Sequence, residues 1–530
     1  MGVMAKTLDG SRNEGAQLFV QRHQADVIGV LEGWDRLRLQ GTLRSLYHPS
    51  VMDYYLKQCG VLWKDFKTFV MGLTDRVKQS AAALAIEHRR PMIYLPSSRT
   101  SKEDTARQIQ ERDKVVSGLI AVFSCVEPCR RWIARGNRAT QKLELRLEWG
   151  KCTHLYFYWL HEQLGFLHFR LQTWFPFLIQ VCLNGREWLG RQMDAAGIAY
   201  RREDNCFPWI DDIAGAQALM AEQLRTSWSS VLDPLVKQCH PLCAEITRPI
   251  ERDYYWTAAE SEYATDVMFG ERGALERIYP SLVHHAVMSF GSEQVLRFLG
   301  HSGRSPVQGE VKTDRRRRVE GVRIKHWVHQ NSVKCYDKGS ILRVEATINQ
   351  PKEFRVWRGP ENKPEGKKQW RPLRRSVADL HRRAQVSRAA TDRYLAALAA
   401  VYVSTALAQQ AATVCRPVVR RDRRRYRALN PLGDADAQLL AIVNRGEFAL
   451  NGFRNRDLRA HLYDATEDRE QQRRQMAAVG RRLRLLRAHG LIAKVSKTHR
   501  YVVTEKGRNI ITAVLAARQA STAKLTALAA

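Results

Sequence analysis

At 530 residues the chain exceeds what one hydrophobic core supports, and about three or four folded domains are expected. Hydrophobic residues at 44% and aromatic residues at 9% are globular values and exclude wholesale disorder. The formal charge of +32 runs through the whole chain; self-repulsion of that kind is best relieved by a polyanion, which points to nucleic acid over a membrane surface or a merely Arg-rich composition.

Residues 1–16 are polar and aperiodic and read as a flexible leader, with no apolar run of signal-peptide length. No stretch approaches the roughly 18 apolar residues of a membrane span, so a cytoplasmic protein without a membrane partner is expected. The ten cysteines then read as reduced thiols. Cys125 with Cys129, and Cys239 with Cys243, have C-x3-C spacing, which differs from the matched C-x2-C pairs of structural zinc sites and argues against zinc.

Residues 17–135 predict a small α/β domain. Helical patterns over residues 50–88 are followed by short apolar runs, PMIYL and GLIAVFSCV, that suit buried strands. Between them SSRTSKEDTARQIQERD carries a Ser or Thr cap followed by acidic residues, which starts a helix.

Residues 150–358 predict a central α+β domain built on a mainly antiparallel sheet. From Lys151, turn-like HEQLG and NG divide an aromatic and β-branched run into three antiparallel strands. The helix REWLGRQMDAAG, the strand-like IAYRREDNCFPWI and the helix DDIAGAQALMAEQLRTSW follow. Residues 246–310 read as a helical insertion, in which Glu262 and Asp266 share a helix face, and His284 and His285 point apart. GVRIKHWVHQ, NSVKCYDK and SILRVEATI are then three strands, ending in KEFRVWR. Residues 359–430 hold a linker, GPENKPEGKKQW, a long helix and a basic connector, RPVVRRDRRRYRALNP. There is no internal repeat.

Residues 431–520 give the strongest pattern. DADAQLLAIVNRGE is amphipathic, with Leu439, Leu440 and Val443 on one face; FRNRDLRAHLY is a short second helix. In the longer third helix Met476, Val479, Leu483 and Leu486 recur every three or four residues. Gly490 ends that helix, and two strands joined by a basic turn from Ser496 to His499 precede a last helix from about Arg508. This order, and the phrase LRAHGLIAKVSKTHRYVVTEKG, resemble bacterial winged helix-turn-helix regulators. The resemblance implies that the third helix enters the major groove and the wing contacts the backbone. Arg473, Arg474, Gln475, Arg481 and Arg482 are then groove or phosphate contacts, with Lys497, His499 and Arg500 on the wing. A winged helix used for protein contact is the plainer alternative.

The segment most suited to chemistry is VRIKHWVHQNSVKCYDKGSILRVEATINQ. Strand alternation puts Lys334, Tyr336 and Lys338 on one face, and Arg343 and Glu345 on one face of the next strand. Cations that lower a tyrosine's pKa make it a nucleophile, and a carboxylate can hold a divalent metal such as Mg against a scissile phosphate. Tyr-Asp-Lys followed by Arg-Val-Glu resembles the YxK and RxE pattern of rolling-circle replication initiators. That resemblance implies a nicking nucleophile at Tyr336, a phosphate contact at Lys338, and at Glu345 a metal ligand or a partner of Arg343. The His-hydrophobic-His pair of many nicking enzymes is missing; His168 is a lone strand histidine that reads as a packed residue. Without catalysis the same sheet reads as a binding surface, with Lys334 on the phosphates and Trp174, Trp327 and Tyr336 as base platforms.

The phrases HFRLQTWFPF, VCLNGREWL and NGFRNRDLR also resemble a set of uncharacterised basic bacterial proteins, which implies no activity. The sequence therefore predicts a multi-domain α+β nucleic-acid-binding protein of mobile-element or replication type, with DNA as the first partner and a strand-nicking site. A non-catalytic DNA-binding regulator and a binder of structured RNA are the alternatives, and a homo-oligomer is left open.

Overall fold

The computed structural model describes residues 14–519 except residues 98, 302–309, 319–320, 361–362, 364, 400–410, 420–423, 450–451 and 497. The chain divides into two compact units. One, the sheet unit, comprises Gly29–Met268 and Glu345–Arg388. The other, the terminal unit, comprises Met1–Ile28, Phe269–Val344 and Ala389–Ala530.

The elements begin with α1 (Glu14–Arg22), β1 (Val27–Thr42), α2 (Pro49–Gln58), α3 (Phe66–Glu87), β2 (Met92–Tyr94) and α4 (Lys102–Arg112). Two long strands, β3 (Gly118–Asn137) and β4 (Lys142–His161), lead to β5 (Gly165–Gln172), β6 (Ile179–Asn184) and α5 (Gly185–Ala196). Next come β7 (Tyr200–Glu203), β8 (Cys206–Ile210), α6 (Ile213–Gln223), α7 (Trp228–Cys239), α8 (Cys243–Thr247) and β9 (Tyr255–Phe269). After α9 (Arg272–Ser289) and α10 (Ser292–Phe298) run β10 (Val311–Arg318), β11 (Gly321–Val328), β12 (Asn331–Asp337) and β13 (Ile341–Ile348). β14 (Arg355–Arg358), β15 (Gln369–Pro372), α11 (Leu380–Leu398), β16 (Val418–Val419) and β17 (Arg425–Tyr426) follow. The last elements are α12 (Asp434–Val443), α13 (Gly446–Ala449), α14 (Asn455–Leu462), α15 (Arg469–Ala488), β18 (Ile492–Lys494), β19 (Tyr501–Val503) and α16 (Glu505–Gln519).

In the sheet unit the strands run in the order β9-β1-β6-β5-β4-β3-β2. All pairings from β1 to β3 are antiparallel, as the three strands expected from Lys151 require; β2 lies parallel to β3 through the α4 crossover. α4 starts where expected, because Ser101 accepts a hydrogen bond from the Asp104 amide and Glu103 and Asp104 complement the helix N-terminus. α5 is capped by Asn184, whose Oδ1 accepts from the Arg186 and Glu187 amides, and it ends at Gly197 in a left-handed conformation (φ 69°). The main core lies where α2, α3 and α7 cover one face: Val70, Leu73, Val77, Ala81 and Ala85 of α3 recur every three or four residues and pack with Trp34, Phe157 and Phe169. Ala106 and Ile109 of α4 cover the other face with Phe123, Tyr156 and Tyr158. Burying each such large apolar side chain stabilises by about 1.5–3 kcal/mol.

In the terminal unit β10, β11 and β12 form an antiparallel meander, in which His326 is buried between Thr313 (2.9 Å) and Tyr394 (3.2 Å). The C-terminal elements enclose their own core of Leu439, Leu440, Val443, Phe453, Leu458, Val479, Leu483, Leu486, Ile492 and Ile511.

Several expectations are corrected. Residues 17–135 are not a separate domain, since β3 and β4 pair from Gly118 to Leu160 across the expected boundary. The segment SEYATDVMF is strand β9; an i, i+4 pair shares a face in a strand as well as in a helix, so spacing alone left the two undecided. Part of the expected leader is helical, for α1 starts at Glu14 and Ala16 is buried; residues 1–13 lie outside the described residues. Gln369–Pro372, at the end of the expected linker, is a strand that pairs Trp370 with Trp357. β10 was not anticipated. Of the expected long helix, Leu380–Leu398 is described and residues 400–410 lie outside.

Candidate nucleic-acid interface and carboxylate cluster

In the terminal unit the connector before α12 folds back on α15. Arg424, Arg425 and Arg427 from the connector and Arg481, Arg482 and Arg484 from the helix line one groove of about 530 Å³. Five of the six are exposed and Arg482 is half-buried, with its guanidinium 5.7 Å from the Tyr463 ring centroid. The groove is held by local chemistry. Asp436 at the start of α12 accepts from Arg427 and from the Asn430 amide, and His489 at the end of α15 donates from Nε2 to the Arg427 carbonyl at 2.8 Å. Burial pushes the Asp436 carboxyl up, but hydrogen bonds from Arg427 and the Asn430 amide, with the charge of Arg427, outweigh it and hold it below the usual range. With the Arg427 fork taken by Asp436, the five other guanidiniums around the concavity carry fork-shaped donors of the kind that match phosphate oxygens.

Arg473 and Arg474 are exposed on the first half of α15, Arg474 in an ion pair with Glu470, and Gln475 is half-buried. Val479, Leu483 and Leu486 are core residues as expected, whereas Met476, expected with them, is 47% exposed. β18 and β19 pair from Ile492 with Val503 to Lys494 with Tyr501. In the turn between them His499 is exposed and Arg500 half-buried, and Lys497 lies outside the described residues. Gly452 (φ 61°) lies against this hairpin, where a Cβ would strike the Tyr501 carbonyl.

In the meander Lys334 and Tyr336 pair with Lys325 and Arg323 across β11. Lys334 and Tyr336 of β12 are half-buried, Lys338 is half-buried in the turn that follows the strand and so outside its alternation, and Lys325 sits 5.6 Å from the Trp327 ring centroid. The turn after β12 is closed by the Lys338 amide on the Ile341 carbonyl and by the Gly339 amide on Asp337. Burial lifts the Asp337 carboxyl above its usual range. Arg343 is buried at 1% exposure. Tyr336, Lys338 and Arg343 belong to the terminal unit and Glu345 to the sheet unit.

Within the sheet unit Glu345 joins Asp35 of β1 and Glu262 of β9; a carboxylate oxygen of each lies within 4.8 Å of the others. Glu345 and Asp35 are buried and Glu262 half-buried. Asp35 is positioned by Asn205, whose Nδ2 donates to it at 2.6 Å, and Asn205 in turn accepts from Asn184, the α5 cap, at 2.8 Å. Three carboxylates this close repel one another unless cations balance them; Arg36 lies near Glu262, and carboxylate oxygens are the ligand type that hard cations such as Mg²⁺ or Mn²⁺ take. Asp266, weighed with Glu262 from the sequence, instead forms a buried pair with Arg186 at 2.9 Å. Trp174 and His168 are packed: the Trp174 indole donates to the Trp132 carbonyl, and His168 stacks on Tyr158 at 4.9 Å.

Sequence reasoning missed Arg424, Arg425, Arg427 and Arg484 as parts of one site, although the connector's arginine run was visible. It missed Asp35, for which a lone acid in a strand gives no signal. No helix among the described residues is long and apolar enough to cross a membrane. Comparisons with protein-family models, with curated proteins and with solved structures found no match to this chain.

Proposed function

We propose that the protein binds nucleic acid, with duplex DNA held by its C-terminal segment as in winged helix-turn-helix regulators: α15 in the major groove, the β18–β19 hairpin on the backbone. The arginine groove beside α15 carries this reading, because with Arg427 committed to Asp436 five further guanidiniums line one concavity, a density of positive charge that suits a phosphate backbone. Arg481 and Arg482 serve both α15 and the groove; Arg473, Arg474 and Gln475 lie nearer its N-terminal end, where recognition helices meet base edges. A mobile-element or replication protein, which must find a duplex site and act beside it, is the setting this arrangement suits.

The test is the salt dependence of duplex binding, measured by fluorescence anisotropy. The double variant Arg425→Ala with Arg481→Ala should weaken binding evenly across sequences and reduce the log–log salt slope by about two. An unchanged slope in the folded variant overturns the reading. Structured RNA that outcompetes duplex DNA at matched salt moves it to RNA.

The Asp35, Glu262 and Glu345 cluster favours a second reading, metal-dependent phosphodiester cleavage. Cleavage of single-stranded DNA that requires Mg²⁺ or Mn²⁺ and is lost in Glu345→Gln supports it. A covalent 5′-phosphotyrosine lost in Tyr336→Phe assigns the nucleophile to Tyr336, whereas cleavage that survives this change assigns it to water. Binding with no cleavage under these conditions leaves a DNA-binding regulator.

A further inference from the structure

Cys129 on β3 and Cys152 and His154 on β4 meet on one face of the sheet unit. The two Sγ atoms are 3.3 Å apart, His154 Nδ1 is 4.0 Å from Cys152 Sγ, and a ligand atom of each residue lies within 4.8 Å of the others. All three are buried. His154 is fully buried; its Nδ1 has the Cys152 carbonyl at 3.3 Å, and its Nε2 meets no hydrogen-bonding partner among the described residues. Nδ1 is the ring nitrogen that faces Cys152 Sγ, and coordination through it takes the Nε2–H tautomer and exchanges the contact with the Cys152 carbonyl for a bond to the ion.

We propose that Cys129, Cys152 and His154 form a binding site for a thiophilic cation, with zinc as the ion their charge and spacing fit. With Zn–S near 2.3 Å, tetrahedral coordination sets two thiolates about 3.8 Å apart and a thiolate and an imidazole nitrogen slightly closer. The observed Sγ–Sγ distance of 3.3 Å is shorter than its tetrahedral value and the Sγ–Nδ1 distance of 4.0 Å is longer, so an ion entering the site moves the thiols apart and draws the imidazole in. Two thiolates neutralise Zn²⁺, and binding releases their two protons to solvent.

The register sets a metal apart from a disulfide. Cys129 pairs with Gly150, and Cys152 with Glu127, so the two cysteines are diagonal and not directly opposed. Diagonal positions across an antiparallel pair stand about 7–8 Å apart, and their Cβ atoms somewhat less, whereas a disulfide needs Cβ atoms at about 3.8 Å. A bridging ion spans the difference. Glycine opposite Cys129 leaves that position without a side chain, and the Arg131 guanidinium packs against Gly150. The hydrogen bond with Cys152 is the largest influence on the Cys129 thiol, and with Arg131 and Arg170 it outweighs burial and holds the thiol below its usual range. Burial keeps the imidazole neutral by lowering His154 to about 4. These two shifts favour the ligand forms, whereas the same Cys129–Cys152 hydrogen bond, with burial, pushes the Cys152 thiol up, so Cys152 gives up its proton only to the arriving ion.

The full chain, purified under reductant without chelator, is loaded with Zn²⁺, dialysed and assayed for metal, and separately loaded with Co²⁺ for absorption spectroscopy. The expected result is about one tightly held zinc per chain and a thiolate-to-cobalt charge-transfer band. Both should be lost in Cys129→Ser with Cys152→Ser, with the band shifted in His154→Asn and kept in Glu345→Gln, which reports on the carboxylate cluster alone. If the wild-type protein shows no such band and no more zinc than the double variant, the proposal is overturned. A Cys129–Cys152 disulfide in unreduced, metal-free protein also overturns it. The cobalt band is read on the wild-type chain, so a variant that fails to fold does not remove the test.

Discussion

Arg427 grips Asp436 through two parallel hydrogen bonds of 2.7 and 2.6 Å, and its backbone carbonyl takes the His489 imidazole. One residue thus ties the basic connector to both the first helix and the end of the long helix of the C-terminal segment. Asp436→Asn should lower the stability of that segment by about 1–2 kcal/mol, the range for charge-assisted hydrogen bonds that are partly exposed. It should also weaken DNA binding without removing any arginine. Urea denaturation followed by anisotropy checks both, and unchanged affinity would separate the groove's shape from its charge.

Arg186 and Asp266 form an ion pair in which neither side chain exceeds 1% exposure. Removing one partner strands a charge in the core. Asp266→Ala should therefore cost about 3–5 kcal/mol, whereas replacing both by apolar residues of similar volume should cost far less. Guanidinium unfolding of the single and double variants is the measurement, and equal losses would show that packing dominates over charge.

Asp379, fully buried, is ringed by Arg374, Arg382 and Arg358. Burial pushes its carboxyl up, but the hydrogen bonds and charges of Arg374 and Arg382 prevail, and its pKa lies below the usual value. A carboxyl whose folded pKa is depressed stabilises fully above its unfolded pKa, about 3.9, and that contribution fades as pH falls through the folded value. Asp379→Asn should thus be clearly less stable than the wild type at pH 7, with the gap narrowing below about pH 4. A gap constant from pH 7 to 3 would assign the loss to shape, not to titration.

At Gly452 the backbone is left-handed and presses on the Tyr501 carbonyl, where the chain bridges Phe453 to the hairpin. Gly452→Ala should destabilise by about 1–3 kcal/mol through strain and displacement of the hairpin. Thermal unfolding reads the first effect. Protease cleavage between Val495 and Arg500 reads the second, and protection equal to wild type would place the strain elsewhere.

The parts of the fold that the sequence made legible are those where a local pattern has one solution. Val479, Leu483 and Leu486 can share a buried face only in a helix, and Gly490 supplies its left-handed end (φ 73°). The sequence of β9 fits a helix as well as a strand, because Glu262 and Asp266, four apart, satisfy both periodicities. β10 escaped because VKTDRRRR has little strand propensity of its own and gains its place by pairing with β11. The same limit governs the sites. Glu345 was marked by its neighbours in sequence, but Asp35 joins it from more than 300 residues away. Cys129 and Cys152 come together only once the register of the β3–β4 hairpin is known.

β10 stands at the edge of its meander with Arg315, Arg316 and Arg317 exposed. An open strand edge invites a strand from another copy, and a row of like charges repels it. Asp314 pairs with Arg316 at 2.6 Å, which leaves Arg315 and Arg317 to carry most of that repulsion. Screening by added salt weakens that repulsion, so copies of the chain should add edge to edge more readily as ionic strength rises.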